Sequence, residues 1–487
     1  MSQPRGVVFP LDPTSGRRST TATGRAVVAD ALRDVDPVGA ASAERETNWR
    51  QGYLPHFRRL VEAGLASPEA SLSIARRGLD SLHERMAWSD GSGDHPLDAA
   101  FGPATPARAL ESETVRGEGA PDRTLSVPYA GERLSGDALR RRLDLWVEAG
   151  VVEPSCAEAV GLVIDNPDWL DLSDRTVVVL GAAAEMGPLR SLLRWGADVA
   201  AVDLPRKDLW DRLIGDTRRL AGSITVPVRP GSEPLAERAG GDLLHDLAAV
   251  TRWVTALEGP LTIGNYVYAD GETNVRVSMA VDALTRQVVA SRGHDDVALA
   301  FLATPTDVFA VPGADVERSV DSYAHRRTSK VLRVPLRTVS GGRLLRRNYV
   351  PGQDPGINDS VVLQQGPNYL LAKRLQRWRA TAYRADGGLV SFKVAPPTRT
   401  RSVVKNRALA AAYAGAHRFG IEVFEPGTAN TLMAALLVHD LRTGAPARPT
   451  AWQDEAYAAV HGGLWTAAYD PRSALGIAAL LGIAGAR

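Results

Sequence analysis

Short apolar runs alternate with amphipathic stretches along the C-terminal two thirds of the chain. The run Thr176–Leu180 is short and β-branched, which is typical of a strand buried on both faces of a parallel sheet. A glycine turn follows, residues 186–195 have helical spacing that ends at Gly196, and Asp198–Val202 is a second buried run. Further strand-like runs lie at 224–228, 261–266, Val297–Ala303 and 389–394. The alternation predicts an α/β domain with a doubly wound parallel sheet over residues 174–487.

The N-terminal third has a different pattern. Residues 1–40 are rich in Pro, Gly, Ser, Thr and Arg and lack apolar periodicity, so a flexible arm is predicted there. Residues 41–88 contain two helical patterns, the second capped by Ser67, which predicts a helical hairpin. A linker without periodicity is predicted at 89–122, and helical spacing resumes after it. Residues 41–173 are therefore expected to form a mainly helical accessory region.

The turn after the first predicted strand has the composition of a dinucleotide-binding loop. Its candidate cofactor-binding residues are Gly181, Ala182, Ala183, Glu185, Met186 and Gly187. Gly181 permits a tight turn, small side chains let a pyrophosphate approach the backbone, and N–H groups at the helix start face it. Gly187 allows the helix to pack closely on the strand. Glu185 replaces the usual middle glycine, and the same turn also occurs as a plain βα connection.

An acidic residue ends the second predicted strand. Asp203 lies 22 residues after Gly181, where a carboxylate accepts hydrogen bonds from both ribose hydroxyls and repels a 2′-phosphate. This position predicts NAD, although Arg206 and Lys207 follow closely and keep NADP open as the cofactor. An S-adenosylmethionine-dependent methyltransferase would also have such an acid, but it usually has another just before the first glycine, where this chain has Leu180.

Two residues near position 370 form a candidate acid/base pair. Tyr369 and Lys373 are four residues apart in a segment with helical spacing, so both side chains project from one helix face. A phenol is a poor base near neutrality, and an adjacent ammonium favours its phenolate while anchoring a cofactor ribose. The pattern predicts that Tyr369 exchanges a proton with an alcohol or a carbonyl, with Lys373 lowering its pKa.

These motifs occur in the order that is found in the short-chain dehydrogenase/reductases, and residues 175–463 resemble that family. The resemblance implies that Thr304 or Thr306 supplies the hydroxyl that polarises a carbonyl, with Thr304 preferred, and that Asn274 is the family's structural or catalytic asparagine. It also implies further cofactor contacts, which are Asn265 after the fourth strand, Asp242 at the adenine ring, and Pro396 and Thr400 at the nicotinamide end. Pro397 departs from the family's pattern, because it replaces a glycine.

The spacing of the candidate catalytic residues departs from the family and indicates an insertion at about 307–360. Thr304 and Tyr369 are 65 residues apart, far more than in the family. Residues 325–350 carry eight Arg or Lys and no acid, and alternate enough to predict a β-hairpin that turns near residues 341–342. This segment is expected to be a solvated basic surface, or else a lid or an oligomer arm that binds an anionic substrate.

Bulk composition narrows the function classes. Lys and Arg number 57 against 56 Asp and Glu, so no long-range field favours nucleic acid or an anionic membrane. No run reaches the ~18 apolar residues of a membrane span, and the N-terminus has no signal-peptide core. Cys156 is the single cysteine, and the nine histidines form no helical metal motif, so neither a disulfide nor a metal site is predicted. A cytoplasmic protein is expected.

The function predicted from these motifs is an NAD(P)-dependent oxidoreductase that interconverts an alcohol and a carbonyl on a small-molecule substrate. The substrate is unidentified, and an anionic substrate is one option. Two alternatives stay open. The first is a non-catalytic dinucleotide-binding scaffold or sensor, in which Glu185 and Pro397 reflect lost catalysis. The second is a methyltransferase, which would bind S-adenosylmethionine. Homo-oligomerisation is an additional option.

Overall fold

The structure is a computed structural model that describes residues 5–12, 15–102, 109–325 and 327–485. Its strands are β1 (Gly6–Val8), β2 (Ala87–Ser89), β3 (Asp94–Pro96), β4 (Glu111–Arg116), β5 (Ser126–Tyr129), β6 (Glu132–Ser135), β7 (Thr176–Leu180), β8 (Asp198–Val202), β9 (Ser223–Val228), β10 (Leu261–Asn265), β11 (Val297–Ala303), β12 (Val308–Val311), β13 (Gly356–Asp359) and β14 (Val390–Val394).

The α-helices follow the same chain numbering. They are α1 (Thr20–Leu32), α2 (Pro37–Arg45), α3 (Trp49–Gly64), α4 (Pro68–Arg85), α5 (Gly136–Glu148), α6 (Pro154–Asp165), α7 (Leu189–Trp195), α8 (Lys207–Arg218), α9 (Leu235–Arg238), α10 (Leu247–Thr255), α11 (Glu272–Arg292), α12 (Gly313–His325), α13 (Arg327–Val339), α14 (Gly366–Ala385), α15 (Arg401–Lys405), α16 (Arg407–Gly415), α17 (Pro426–Thr443), α18 (Ala451–Ala456) and α19 (Pro471–Gly485). Among the described residues, no helix is both long enough and apolar enough to cross a membrane.

A seven-stranded sheet forms the centre of the molecule. Its strand order is β14-β11-β10-β7-β8-β9-β4, and all neighbours are parallel except β4, which runs antiparallel to β9. Numbered along the chain, the six parallel strands have the order 3-2-1-4-5-6 that doubly wound sheets share. The predicted α/β class with a mostly parallel sheet is confirmed. The topological switch point lies between β7 and β10, where ligands bind in such sheets.

Burial explains why these segments are strands. The last four residues of β7 and of β8 are apolar and mostly β-branched or small, and Val177–Leu180 are all fully buried. Alternate side chains enter two cores: Val178 and Leu180 pack with α10, α11 and α14, whereas Val177 and Val179 pack with α6, α8 and α17. Helices therefore cover both faces, as the predicted connectivity requires.

The N-terminal segment is folded where it is described, so the prediction of a flexible arm over residues 1–40 is wrong. β1 pairs with β2, and α1 is capped by Ser19, whose hydroxyl accepts a hydrogen bond from Ala22 N at 3.1 Å. The buried face of α1 is made largely of glycine, alanine and valine, with Val27 and Val28 fully buried. Small residues at the contact let helices approach closely but give a weak hydrophobic signal, which explains the error.

The predicted helical hairpin is confirmed by α3 and α4, with Ser67 accepting a hydrogen bond from Ala70 N. These helices share one core with α14 and with the sheet. The predicted linker at 89–122 is wrong in part, because it contains β3 and the edge strand β4. In β4 only Val115 is buried, since an edge strand with one covered residue has little hydrophobic pattern to show.

The predicted insertion is closed by two short strands. β12 and β13 pair antiparallel, from Val308 opposite Asp359 to Val311 opposite Gly356. Between them the structure has α12 and α13 rather than the predicted β-hairpin, and Pro335 lies inside α13. The β-branched residues that suggested strands lie on helical turns here. Basic side chains from this segment gather at Tyr323, with the Arg333 and Arg347 guanidinium carbons 4.0 Å and 4.9 Å from its ring centre.

Candidate functional site

The turn after β7 has the backbone geometry that its glycine predicts. Gly181 has a φ of +88°, and a Cβ added there would lie 2.9 Å from the carbonyl carbon of Tyr266. The loop after β10 therefore passes directly over the turn at the switch point of the sheet. Gly187 makes no close approach to a strand, because a Cβ added there would first meet Ala184 O at 3.2 Å. The helix α7 begins only at Leu189, later than the sequence predicts.

Most N–H groups of the turn bind the chain itself. Gly181 N and Ala182 N donate to Val202 O, Ala184 N donates to Gly181 O, and Gly187 N donates to Ala184 O. Ala183 N donates to the Asp203 carboxylate at 2.8 Å. Within the described part of the chain, only the N–H groups of Glu185 and Met186 are left without a hydrogen-bond acceptor in the turn. The free donors are thus displaced toward the helix start.

Asp203 is positioned by two backbone hydrogen bonds. Its carboxylate accepts from Ala183 N and from Leu204 N, both at 2.8 Å. Burial raises the pKa of Asp203 above its ordinary value, and the two backbone hydrogen bonds oppose that increase. The carboxylate lies at the end of β8 beside the turn, as the sequence predicts, with lone pairs left on both oxygens.

Glu185 connects the turn to the loop that follows β14. Its carboxylate accepts a hydrogen bond from Arg401 N at 2.8 Å and lies 3.1 Å from Arg401 Nε. Asn430 on α17 donates to the Glu185 carbonyl oxygen at 3.2 Å. The acid that replaces the middle glycine is therefore partnered by a cation, and it spans the space between the two loops. Met186 lines a small cavity beneath Tyr266, next to α17.

The remaining predicted cofactor residues make hydrogen bonds within their own loops. Asp242 accepts from Leu244 N at 2.8 Å and contacts His245 Nδ1, which closes the turn before α10. Pro396 accepts from the Thr398 hydroxyl at 2.8 Å, and Thr400 precedes α15 and contacts Ser402. Each of these three predicted residues lies in a loop at the carboxyl ends of the strands, but no described contact joins them to Asp203.

Asn274 holds the loop after β10. It is nearly fully buried near the start of α11, and its side-chain oxygen accepts a hydrogen bond from Ala269 N at 3.2 Å. Since residues 266–271 pass over Gly181 and carry Tyr268, this contact positions the loop between the turn and α14. The structure gives Asn274 a loop-holding contact, and its predicted catalytic role stays a prediction.

Tyr369 and Thr304 come together although 65 residues separate them. Tyr369 lies on the first turns of α14 and Thr304 directly follows β11, so both are at the carboxyl edge of the sheet. Burial raises the pKa of the Tyr369 phenol, and the interaction with the Thr304 hydroxyl partly offsets this increase. The ring centre of Tyr268 is 6.3 Å away. The predicted lowering of the Tyr369 pKa by Lys373 is not seen, because burial raises this pKa and the contact that offsets the increase is with Thr304.

Lys373 lies one helical turn after Tyr369 and points to the end of β11. Its ammonium donates to Leu302 O and to Gln376 Oε1, both at 3.2 Å. Gln376 in turn donates to Asn265 Oδ1 at 3.3 Å, which connects α14 to the end of β10. Burial lowers the pKa of Lys373 to about 8. A lysine that loses its proton this close to neutrality is typical of functional sites.

A buried ion network fixes α14 against the loop that carries Thr304. Asp307 lies between Arg374 and Arg377, at 3.0 Å and 2.9 Å, and Arg377 also pairs with Glu455 on α18 at 2.6 Å. The guanidinium groups hold the pKa of Asp307 below its usual value despite burial. Removing one member would leave a buried charge unpaired, so this network defines the position of Tyr369 relative to Thr304.

An apolar pocket opens beside these residues. Its empty volume is about 790 Å³, including space open to solvent, and its walls are formed mainly by α16, α19 and the loop before α19. Thr306 and Tyr413 line it: Thr306 Oγ1 is 2.8 Å from Thr304 Oγ1, and Tyr369 contributes to the raised pKa of Tyr413. Thr306 therefore joins the wall of the pocket to the Tyr369 cluster.

Several residues of this region were not predicted from the sequence. Gln376, Gln365 and Tyr413 have no motif of their own. Gln376 lies seven residues after Tyr369 on the same helix, so helical spacing would have placed it beside Lys373. Gln365 donates to Thr306 Oγ1 at 2.8 Å, and this contact depends on how the insertion returns to the sheet. Tyr413 lies on α16, which follows β14 in the chain, and no local pattern connects it to Tyr369.

A second cluster of ionisable residues lies away from Tyr369. Glu153, Asp315 and His461 are buried, and their ligand atoms all lie within 4.8 Å of one another. Gly463 N donates to His461 Nδ1 at 3.1 Å, so the imidazole proton is on Nε2, which lies 3.1 Å from Glu153. In this tautomer Nε2 has no lone pair for a metal ion. The His461 ring also stacks on the indole of Trp465, with the ring centres 4.7 Å apart.

Burial shapes the electrostatics of the Glu153, Asp315 and His461 cluster. It raises the pKa of Glu153 to about 7, and, together with the nearby Glu153 charge, it raises that of Asp315 to about 8. Burial lowers the pKa of His461 to about 4. Near neutrality the imidazole is neutral and the carboxyl pair holds a proton. The cluster joins the start of α6, the inserted α12 and the loop before α19.

Comparisons with known proteins assign no family to the chain. No family model matches its sequence, and no curated protein matches it either.

Proposed function

We propose that the protein is an NAD(P)-dependent oxidoreductase that interconverts an alcohol and a carbonyl, in the manner of the short-chain dehydrogenase/reductases. The observation that carries the proposal is the convergence of Tyr369, Thr304 and Lys373 beside the switch point of a 3-2-1-4-5-6 sheet. Thr304 and Tyr369 come from segments separated by an entire insertion. They lie together at the edge where such sheets bind ligands, and this position supports a functional role for the pair.

The residues fit a dinucleotide in part. Gly181 gives the tight turn, the N–H groups of Glu185 and Met186 remain available to a phosphate, and Asp203 retains lone pairs for ribose hydroxyls. The same carboxylate would repel a 2′-phosphate, which supports NAD over NADP. Glu185 is the feature that fits least, although its charge is already paired with Arg401.

The chemistry of each side chain follows from its environment. A bound nicotinamide would supply or accept the hydride. Tyr369 has a raised pKa and so keeps its proton near neutrality, which suits it to protonate the oxygen of a carbonyl as that bond is reduced. Thr304 is placed to donate a hydrogen bond to the same oxygen. Lys373 uses two of its three protons on Leu302 and Gln376, and the third is available to the phenolate that forms or to a ribose hydroxyl.

A non-catalytic dinucleotide-binding scaffold is the second candidate function. It is favoured by the turn, where five of the seven N–H groups from Gly181 to Gly187 already have acceptors in the protein. A sensor that binds its nucleotide weakly would be consistent with that arrangement. A methyltransferase is the third candidate, and affinity for S-adenosylmethionine would distinguish it.

The test combines binding and turnover. NADH is titrated by its fluorescence, and a broad panel of aldehydes and ketones is then screened for NADH oxidation. We expect Tyr369→Phe to lower kcat by about 10²-fold or more while NADH affinity stays within a factor of two of the wild type, because the phenol is a proton donor rather than a nucleotide contact. Tyr268→Phe is the matched control, since its ring lies 6.3 Å from that of Tyr369.

The outcomes separate the three candidates. Tight NADH binding without oxidation of any compound in the panel would favour the scaffold. Binding of S-adenosylmethionine but not of NADH would favour the methyltransferase. Unchanged turnover in Tyr369→Phe would remove the proposed role of this residue.

A further inference from the structure

The apolar pocket adjoins the candidate catalytic residues through Thr306. It begins at Thr306, whose hydroxyl is 2.8 Å from that of Thr304, and runs between α16 and α19. Tyr413 also lines the pocket and is influenced by Tyr369, and burial raises the pKa of its phenol to about 12, so it is neutral. One end of the pocket is therefore polar and adjacent to the candidate proton donor.

Three polar side chains of the lining, Thr306, Ser360 and Arg472, already have partners within the protein. Thr306 Oγ1 accepts from Gln365 Nε2 at 2.8 Å, and the Ser360 hydroxyl donates to Asn358. Arg472, a cation on the wall, is paired with Asp359 on β13. An anionic substrate group in the pocket would thus find no uncompensated positive charge among the described lining residues, and its desolvation would cost more than it gained.

The rest of the wall is hydrocarbon. Alanine, leucine, isoleucine and valine side chains from α16, α19 and the segment before α17 make up most of it, with Phe419 and Pro397. The space between these walls has an empty volume of about 790 Å³, part of which is open to solvent. An apolar wall favours a ligand that buries carbon rather than one that carries charge.

We infer that this pocket binds the apolar body of an uncharged ketone, aldehyde or secondary alcohol, with the reacting carbon at the Thr306 and Tyr413 end. The inference rests on the proposed oxidoreductase function and narrows its substrate class, replacing the anionic substrate that the basic insertion suggested. In the reducing direction the carbonyl carbon takes a hydride from NADH and the oxygen takes a proton from Tyr369. The products are the alcohol and NAD⁺.

The experiment uses Prodan, a neutral naphthalene ketone whose emission shifts to the blue in apolar surroundings, added to the full-length protein. We expect a blue-shifted, saturable signal with the wild type. Ala412→Trp fills the pocket, because Ala412 is buried in its wall, and should weaken Prodan binding at least tenfold. Ala408→Trp places the same side chain at an exposed position of α16 and should leave binding unchanged. If Ala412→Trp does not fold, Val423→Phe replaces it, because Val423 also lines the pocket.

Chain length and charge provide the second measurement. Each methylene added to the acyl group of Prodan should tighten binding about fourfold until the pocket is full. An analogue of the same size that ends in a carboxylate should bind at least tenfold more weakly. The inference is overturned if Prodan binds equally well to Ala412→Trp and Ala408→Trp, or if the carboxylate analogue binds as tightly as Prodan.

Failure of the pocket assignment and failure of the proposed oxidoreductase function would give different results. Prodan that binds in the pocket but is not reduced by NADH would leave the pocket assignment standing and count against the oxidoreductase. Reduction of small polar or anionic carbonyl compounds, without Prodan binding, would leave the oxidoreductase standing and refute the pocket as its substrate site. Tyr369→Phe should bind Prodan as the wild type does, because the phenol is not part of the apolar wall.

Discussion

The turn after β7 and the Tyr369 cluster lie at the same edge of one sheet but use their polar groups differently. In the turn, the backbone donors and Asp203 satisfy one another, and Glu185 is neutralised by Arg401. In the cluster, Tyr369 and Lys373 are held with pKa values moved away from ordinary, the lysine to about 8. The comparison shows that the residue types of a motif set the local backbone geometry. Residues that are distant in the sequence but close in the fold decide which polar groups remain available to a ligand.

The largest expected effect is on the catalytic side of this comparison. Thr304→Val should lower kcat/KM for carbonyl reduction by about 10²-fold, because it removes one donor to the developing oxyanion. Thr306→Val is the control, because Thr306 contacts Thr304 and lines the pocket, whereas the hydrogen bond with Tyr369 is made by Thr304. The control variant should lower kcat/KM less than tenfold. Equal losses in both variants would mean that the two hydroxyls act only as a packed pair.

Substitutions in the turn after β7 should first lower the free energy of unfolding. Gly181→Ala should lower the free energy of unfolding by about 2 kcal/mol or more, because the positive φ disfavours a side chain and the Cβ would meet the Tyr266 backbone. Gly187→Ala should cost less than about 1 kcal/mol, since only Ala184 O lies near the added carbon. Urea denaturation measures both. NADH affinity should fall in the first variant, and similar stability losses in the two would contradict this account.

The smallest expected effect concerns the acid between the two loops. Glu185→Gln should strengthen NADH binding a few-fold, because it removes one negative charge beside the pyrophosphate while keeping the shape of the side chain. Glu425→Gln is the matched control, because Glu425 pairs with Arg399 in the same region and is exposed. A weaker affinity in Glu185→Gln would indicate that the contact with Arg401 shapes the site.

The strands β7 and β8, the turn between β7 and α7, and the pair Tyr369 and Lys373 could be predicted because each depends on residues that are close together in the sequence. β7 and β8 are buried on both faces, so their apolar runs are unmistakable, and Tyr369 and Lys373 are linked by helical spacing. The folded N-terminus and β4 could not be predicted in this way, because α1 buries small residues and β4 buries only Val115. The contacts of Tyr413, Gln365 and Asp315 are set by how distant segments meet, which no local window contains.

The Glu153, Asp315 and His461 cluster makes the stability of the junction between three distant segments depend on pH. The folded pKa values of Asp315 and Glu153, about 8 and about 7, exceed the ordinary 3.8 and 4.5. The folded state therefore binds more protons than the unfolded state between about pH 4 and pH 8, and stability falls as pH rises through that window. His461 acts oppositely below 6.5, where the unfolded imidazole takes up a proton and the folded one does not until about 4.

Asp315→Asn should flatten the fall in the free energy of unfolding between about pH 5 and pH 8, measured by urea denaturation at each pH. An unchanged slope would mean that the carboxyl pair ionises freely in the folded protein. A proton shared by Glu153 and Asp315 thus helps to hold the inserted α12 against the start of α6 and the loop before α19. Raising the pH past about 8 would remove that proton and weaken the junction reversibly, without breaking a covalent bond.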